Sequence, residues 1–145
     1  MPITTRSNIP DLVMASAKFR REVPIIIANN SKNHFLMGFR RGGGMTDGSL
    51  SGWARRKKQD KRRGNRALLV LSGQLRNDLD IRKTTINEIV LGTEDTIYAS
   101  VHNNGEKAGR GAGFQMPKRE FLGDSRKLDR KNGKLILKKL KLLYK

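Results

Sequence analysis

Charge divides this chain more sharply than any motif does. Residues 67–117 carry five basic and six acidic side chains, so the middle of the sequence is close to neutral. The flanks are cationic: residues 53–66 hold eight basic side chains against one acidic, and residues 118–145 hold eleven against three. Residues 1–52 add seven against three, and the net formal charge reaches +18. The clearest strand patterns fall in the neutral middle. A near-neutral fold with cationic extensions is suited to an anionic partner, either nucleic acid or an acidic protein face.

With 145 residues, of which 36% are apolar, and a mean hydropathy of −0.62, the chain can build one core but not two. Residues 1–145 are therefore expected to form one domain, with much of the length exposed or ordered by a partner. There is no cysteine, so neither a disulfide framework nor thiol chemistry is available. "MPITTRSNIPDL" lacks the apolar centre of a signal peptide, and the longest apolar runs, "VPIII" and "LLVL", fall far short of a membrane span. A soluble protein is expected.

"PDLVMASAKFRREV", residues 10–23, predicts a helix, with Leu12, Ala15, Phe19 and Val23 making one apolar stripe. Pro24 should end or kink it, after which residues 25–41 resume helix with Ile27, Phe35 and Phe39 as core candidates. Residues 40–66 are expected to be a flexible loop, glycine-rich first and basic afterwards. Five glycines in residues 40–52 leave little to offset its ordering entropy. "ALLVLSGQL" restores apolar character around a bend at Ser72-Gly73. From Leu75 to Arg82 the alternation predicts a half-buried strand, and "NEIVLGT" predicts its antiparallel partner across the turn "KTTIN". "TEDTIYASVHNNG" fits a short helix capped by Thr96 or Asp95, with Ile97 and Val101 on one side, as well as it fits a third strand. Residues 105–116 read as a mobile glycine-rich arm. Residues 126–145 predict an amphipathic helix, with Ile136, Leu140, Leu143 and Tyr144 opposite Lys134, Lys138, Lys141 and Lys145. The fold class is α+β: N-terminal helices on a small antiparallel sheet, closed by that helix.

Candidate chemistry is sparse. The two histidines, His34 and His102, lie 68 positions apart. His102 with Asn103 and Asn104 has the flavour of a metal-nuclease loop, but such a site needs converging carboxylates or a second histidine, and the spacing of Glu94, Asp95 and Glu106 selects none. A structural His102 is the better reading, and no catalytic residue, cofactor or metal ligand is assigned. "GRGAG" lacks the Gly-Lys-Ser/Thr of a phosphate loop and reads as a flexible connection. The run Arg55, Arg56, Lys57, Lys58, Lys61, Arg62, Arg63 and Arg66 has more substance. Eight cations in twelve residues suit phosphate contacts or an acidic partner, against the plain alternative of a solvated face. Trp53 is the one aromatic nearby, so base stacking is poorly served. The lysine-leucine helix has a membrane-binding moment but no interfacial Trp or Phe, which favours packing against its own domain or a neighbour.

Taken in order, Trp53 ahead of a charged segment, "LLVLSGQLRNDL", "EIVLGT", "YASVHNNG" and "PKREFLG" resemble the phage virion morphogenesis family, the tail-completion proteins of Mu-like and P2-like tailed phages. The resemblance spans residues 35–125 and rests on order and spacing rather than on one motif. It falls on Trp53, Leu75, Arg76, Tyr98, Ala99, His102, Gly105, Pro117, Arg119, Phe121, Leu122 and Gly123. Asp78 stands where that family commonly has serine, Asn104 where an aromatic precedes the glycine, and Lys118 where a small residue is usual.

The resemblance implies a structural, non-enzymatic subunit of the neck or upper tail. It would act as a homo-oligomeric ring, with six copies as the expectation, and would be assembled in the host cytoplasm into the virion. Its partners would be other neck and tail proteins, with duplex DNA in the channel as a further contact and no membrane. Trp53, Tyr98, His102, Gly105, Pro117, Arg119 and Phe121 would then be assembly residues, with Arg119 gripping a carboxylate and Phe121 filling an apolar pocket. Charge alone allows the rival reading, a nucleic-acid-binding protein of ribosomal or DNA-packaging type.

Overall fold

The computed structural model describes residues 9–56 and 66–143. The architecture is α+β, with a long N-terminal helix, two small antiparallel hairpins and a C-terminal helix.

Helix α1 runs unbroken from Ile9 to Arg41, 33 residues or about 50 Å. The predicted break at Pro24 does not occur. Proline removes one backbone bond, yet Pro24 itself is buried and is followed on the helix by the buried Ala28, Phe35 and Phe39. Burial of Val23, of Pro24 itself and of the helix that follows outweighs the local penalty of about 3 kcal/mol.

Helix α4, Arg126–Leu143, lies antiparallel along α1: Asn132 meets Asn30 and Ser31, and Lys139 lies 3.8 Å from Glu22 about two turns further back. Ser125 caps it, its Oγ accepting the Leu128 amide at 3.3 Å. Its apolar face is the one predicted, with Ile136, Leu140 and Leu143 partly covered. Tyr144 and Lys145 lie outside the described residues.

The strand expected over 75–82 is two elements. Gln74–Asp78 forms one helical turn, α2, and Asp80–Thr84 forms β1. Leu75 and Leu79 share a face under a two-residue period and also under a four-residue step, and both are buried to 1% exposure or less. Asn77, placed on the inner face by the alternation, is exposed. β1 pairs antiparallel with β2, Ile89–Gly92, in the register Asp80↔Gly92 to Thr84↔Ile89. A bulge falls between Ile81 and Lys83. It turns Arg82 back onto Asp78, at 3.0 Å, and Glu94, at 2.7 Å.

"TEDTIYASVHNNG" resolves as the helix α3, Ala99–Asn104, rather than a strand. Ile97 does not join its inner side: it precedes the helix and is 94% exposed. The arm at 105–116 is not an open loop but carries a minimal hairpin, β3 Lys107–Ala108 against β4 Phe114–Gln115.

The core gathers Phe35, Phe39, Trp53, Leu75, Leu79, Ala99, Phe121 and Leu128. Phe39 anchors it, edge-on to Trp53 at 5.5 Å and tilted against Phe121 at 5.6 Å. Residues 42–53 therefore depart from the expectation of an unsupported loop, because Met45, Thr46, Ser49 and Trp53 are all buried.

Candidate assembly surface

Long-range bonds hold the glycine-rich segment in place. Its chain turns back at Gly43, where φ is +107° and an added Cβ would sit 2.7 Å from the Trp53 amide nitrogen and Cδ1. The Trp53 amide donates to the Gly42 carbonyl at 2.6 Å, and its indole Nε1 donates to the Glu120 carbonyl at 2.9 Å. The Asp47 amide donates to the Asp124 carbonyl at 2.7 Å, while the Asp47 carboxylate accepts from Arg126 Nε at 3.1 Å. His34 Nε2 reaches the Met45 carbonyl at 2.8 Å and Ser125 Oγ at 3.0 Å. Burial lowers the His34 pKa; the Met45 bond opposes that shift, and Lys127 and Lys131 add to it.

The turn 117–123 docks on α3 through Asn103, which the sequence suggests only as a neighbour of His102 in a nuclease-like loop and not as an anchor. Asn103 Oδ1 accepts the Phe121 and Leu122 amides at 2.9 and 3.0 Å, and Nδ2 donates to the Leu122 carbonyl at 2.9 Å. Three bonds from one side chain replace the ladder this turn lacks. Asn103 stands one position after the histidine that had drawn attention, so position alone did not single it out. Asp78, a departure from the familial serine and expected on the outward face of a strand, has a side chain only 7% exposed. It accepts the amides of Glu94, Asp95 and Thr96 at 3.1, 3.1 and 2.8 Å. Desolvation pushes its pKa upward, but these bonds prevail and hold it well below the usual carboxylate range.

The expected assembly residues divide into two groups. Trp53, Arg119 and Phe121 are 6%, 7% and 3% exposed and belong to the chain's own packing. Within the chain Arg119 donates Nε to the Ala54 carbonyl at 3.0 Å, and the apolar pocket that Phe121 fills is the chain's own core. Burial, with Arg56 as a second cause, lowers the Arg119 pKa. Gly105 closes α3 in the left-handed region at φ +72°. Tyr98, 42% exposed, stacks edge-on to His102 at 5.6 Å.

Tyr98, His102, Pro117 and the Arg119 head converge with Arg55 and Arg56 on one groove of about 780 Å³, walled by Leu69 and Phe114. Two candidate sets read from distant segments thus share one surface. Leu69 adopts φ +60°, a strained conformation for a branched side chain, and Phe114 is 59% exposed. Arg56 donates to the carbonyls of Arg66 and Ala67 at 3.1 Å, and Arg66 to that of Leu71 at 2.8 Å. Lys57, Lys58, Lys61, Arg62 and Arg63 lie outside the described residues. A second groove, of about 670 Å³, runs between α1 and α4, with Met37, Met45 and Leu50 as its apolar part and a cationic wall from α4.

Among the described residues no group of three or more His, Asp or Glu side chains is placed to hold a metal ion, and no helix is long and apolar enough to cross a membrane. A third groove, of about 680 Å³, is lined by Lys32, Arg40 and Arg76 beside Leu36, Met37 and Leu79, so the fold presents several cationic, partly apolar grooves on a small α+β body. The chain belongs to the phage virion morphogenesis family, whose model matches residues 38–141, and so is a structural protein of a phage particle. No curated protein and no solved structure matches it.

Proposed function

We propose that this chain is a ring-forming subunit of the neck or upper tail of a tailed phage, completing the tail or joining it to the head without a catalytic step. The observation that carries the reading is the span of the family match, which runs from the end of α1 through nearly all of α4 and so takes in most of the core. In this role Trp53 and Phe121 work from inside. They fix residues 42–53 and 117–123, and through Arg119 and Ala54 they set the floor of the groove that Tyr98 and Pro117 line. That groove, with Arg55 and Arg56 at its edge, is the surface offered to neck and tail partners. Six copies would close the ring, assembled in the host cytoplasm.

Removal of this chain from its phage tests the reading. Filled heads and finished tails should accumulate unjoined, and supplying the purified protein should restore infectious particles. Normal tailed particles without it would contradict the proposal.

One observation favours a second reading, contact with duplex DNA. Arg126, Lys127, Arg130, Lys131, Lys134, Lys138 and Lys141 fall on one face of α4, and among the described residues only Arg126 of these has an ion-pair partner. Duplex binding whose affinity falls steeply with salt, by a chain that remains monomeric, would favour it.

A further inference from the structure

We infer that the acidic corner bearing Ile97 on one copy docks into the cationic, methionine-lined groove between α1 and α4 of the next copy, joining subunits head to tail. The inference rests on the ring proposed above and names the contact that would build it.

The corner is unusual on two counts. Ile97 is 94% exposed, and the exposed Glu94 and Asp95 precede it by three and two positions, with the buried Thr96 between. It is also rigid: Asp78 fixes the amides of Glu94, Asp95 and Thr96, and Arg82 holds Glu94. A preordered apolar tip with carboxylates beside it loses little entropy on binding.

The groove matches it in kind. Met37 and Leu50 are 40% and 66% exposed there, and methionine adapts to an incoming branched side chain. Around them stand Arg41, Lys127, Arg130, Lys131 and Lys134, none of which has an ion-pair partner among the described residues. Phosphates would satisfy those cations, but they would give Met37 and Leu50 no apolar partner and leave Ile97 in water. A protein segment with one apolar tip and two carboxylates serves all three.

The two surfaces cannot meet within one subunit. Asn30 and Ser31 face α4, whereas Lys32 reaches β1 through Asp80 at 2.8 Å. At about 100° per residue, Lys32 points roughly 200° from Asn30 and 100° from Ser31, so the side of α1 that meets α4 and the side that meets β1 face different ways. A patch and its complement on different flanks pair between copies, and repetition of that heterologous contact makes the proposed ring when the rotation from copy to copy closes, and an open filament when it does not.

Sedimentation equilibrium of the purified full-length chain tests this with two variants, Ile97→Asp for the corner and Lys131→Glu with Lys134→Glu for the groove. All three positions are exposed, and thermal melts should match the parent. Each variant alone should self-associate roughly thirty-fold more weakly, or worse, as after loss of a central anchor. Mixed together, they should form a one-to-one pair that grows no further, because one intact corner meets one intact groove. Variants that assemble like the parent, or a mixture that does not pair, would overturn the contact while leaving the ring standing. A groove variant that assembles normally but loses salt-sensitive duplex binding would assign the groove to a polyanion and overturn it too. A parent chain that stays monomeric would sink both the contact and the ring.

Discussion

Two segments of this chain are rich in glycine, and the fold treats them in opposite ways. Residues 42–53 are locked, with Met45, Thr46, Ser49 and Trp53 buried and hydrogen bonds reaching Glu120, Asp124 and Arg126. Residues 107–115 make a hairpin with two paired residues per strand, and its tip is exposed from Gly109 to Gln115. Glycine content is similar, so composition does not decide the order. Partners decide it: the first segment finds an indole pocket and a helix N-terminus, while the second rests mainly on its own two-residue ladder.

The largest effect expected from breaking this contrast comes from Trp53→Ala. It empties the pocket between Phe39 and Phe121 and leaves the Glu120 carbonyl only the longer bond from Ser49 Oγ, and should cost about 3–5 kcal/mol in denaturant titration. A loss under about 1 kcal/mol would mean the segment is not held by its indole. Gly43→Ala comes next, at about 2–4 kcal/mol, since a left-handed φ and a backbone clash act together there. The matching change in the exposed hairpin, Gly111→Ala, meets nothing within 4 Å although its φ is +66°, and should cost only about 1 kcal/mol by the same titration. Equal losses at Gly43 and Gly111 would erase the distinction between the two segments.

The smallest effect is one of pH. His34 holds Met45 from α1, and its pKa is lowered by burial first and by Lys127 and Lys131 as well. A lowered folded value means that stabilisation is complete above the ordinary histidine range, about 6.5, and is lost as pH falls through the folded value. Amide protection factors at Met45–Ser49 should therefore drop below about pH 6.5, while those at Lys107–Ala108 stay level; a parallel fall in both would contradict this. Asp78 follows the same sign at lower pH. Its depressed carboxyl stabilises the Glu94–Thr96 corner above the carboxylate range and ceases to do so below it.

Much of the fold was legible from local pattern. The Phe35–Phe39 stripe, the lysine face of α4 and the β1–β2 hairpin each follow from periodicity within one window. The resemblance carried by Trp53, Tyr98 and Phe121 pointed to the family that residues 38–141 match. What escaped was non-local. Pro24 is overruled by its own burial and that of the helix after it, and α2 hides in an alternation because Leu75 and Leu79 satisfy two periods at once. The order of residues 42–53 depends on groups about 70 positions away. Asn103 and Asp78 act as clamps for the same reason: a polar side chain becomes an anchor only when distant amides arrive around it. Ile97 looked like an inward helix residue, and its exposure emerged only once α3 was seen to begin at Ala99.

An image reconstruction of the assembled virion, with this chain located by a small tag, puts the account at greatest risk. It should reveal a closed ring of copies between head and tail, with the α1–α4 groove of each facing the Ile97 corner of its neighbour. Tagged particles carrying the chain as scattered single copies, or carrying none at all, would contradict it.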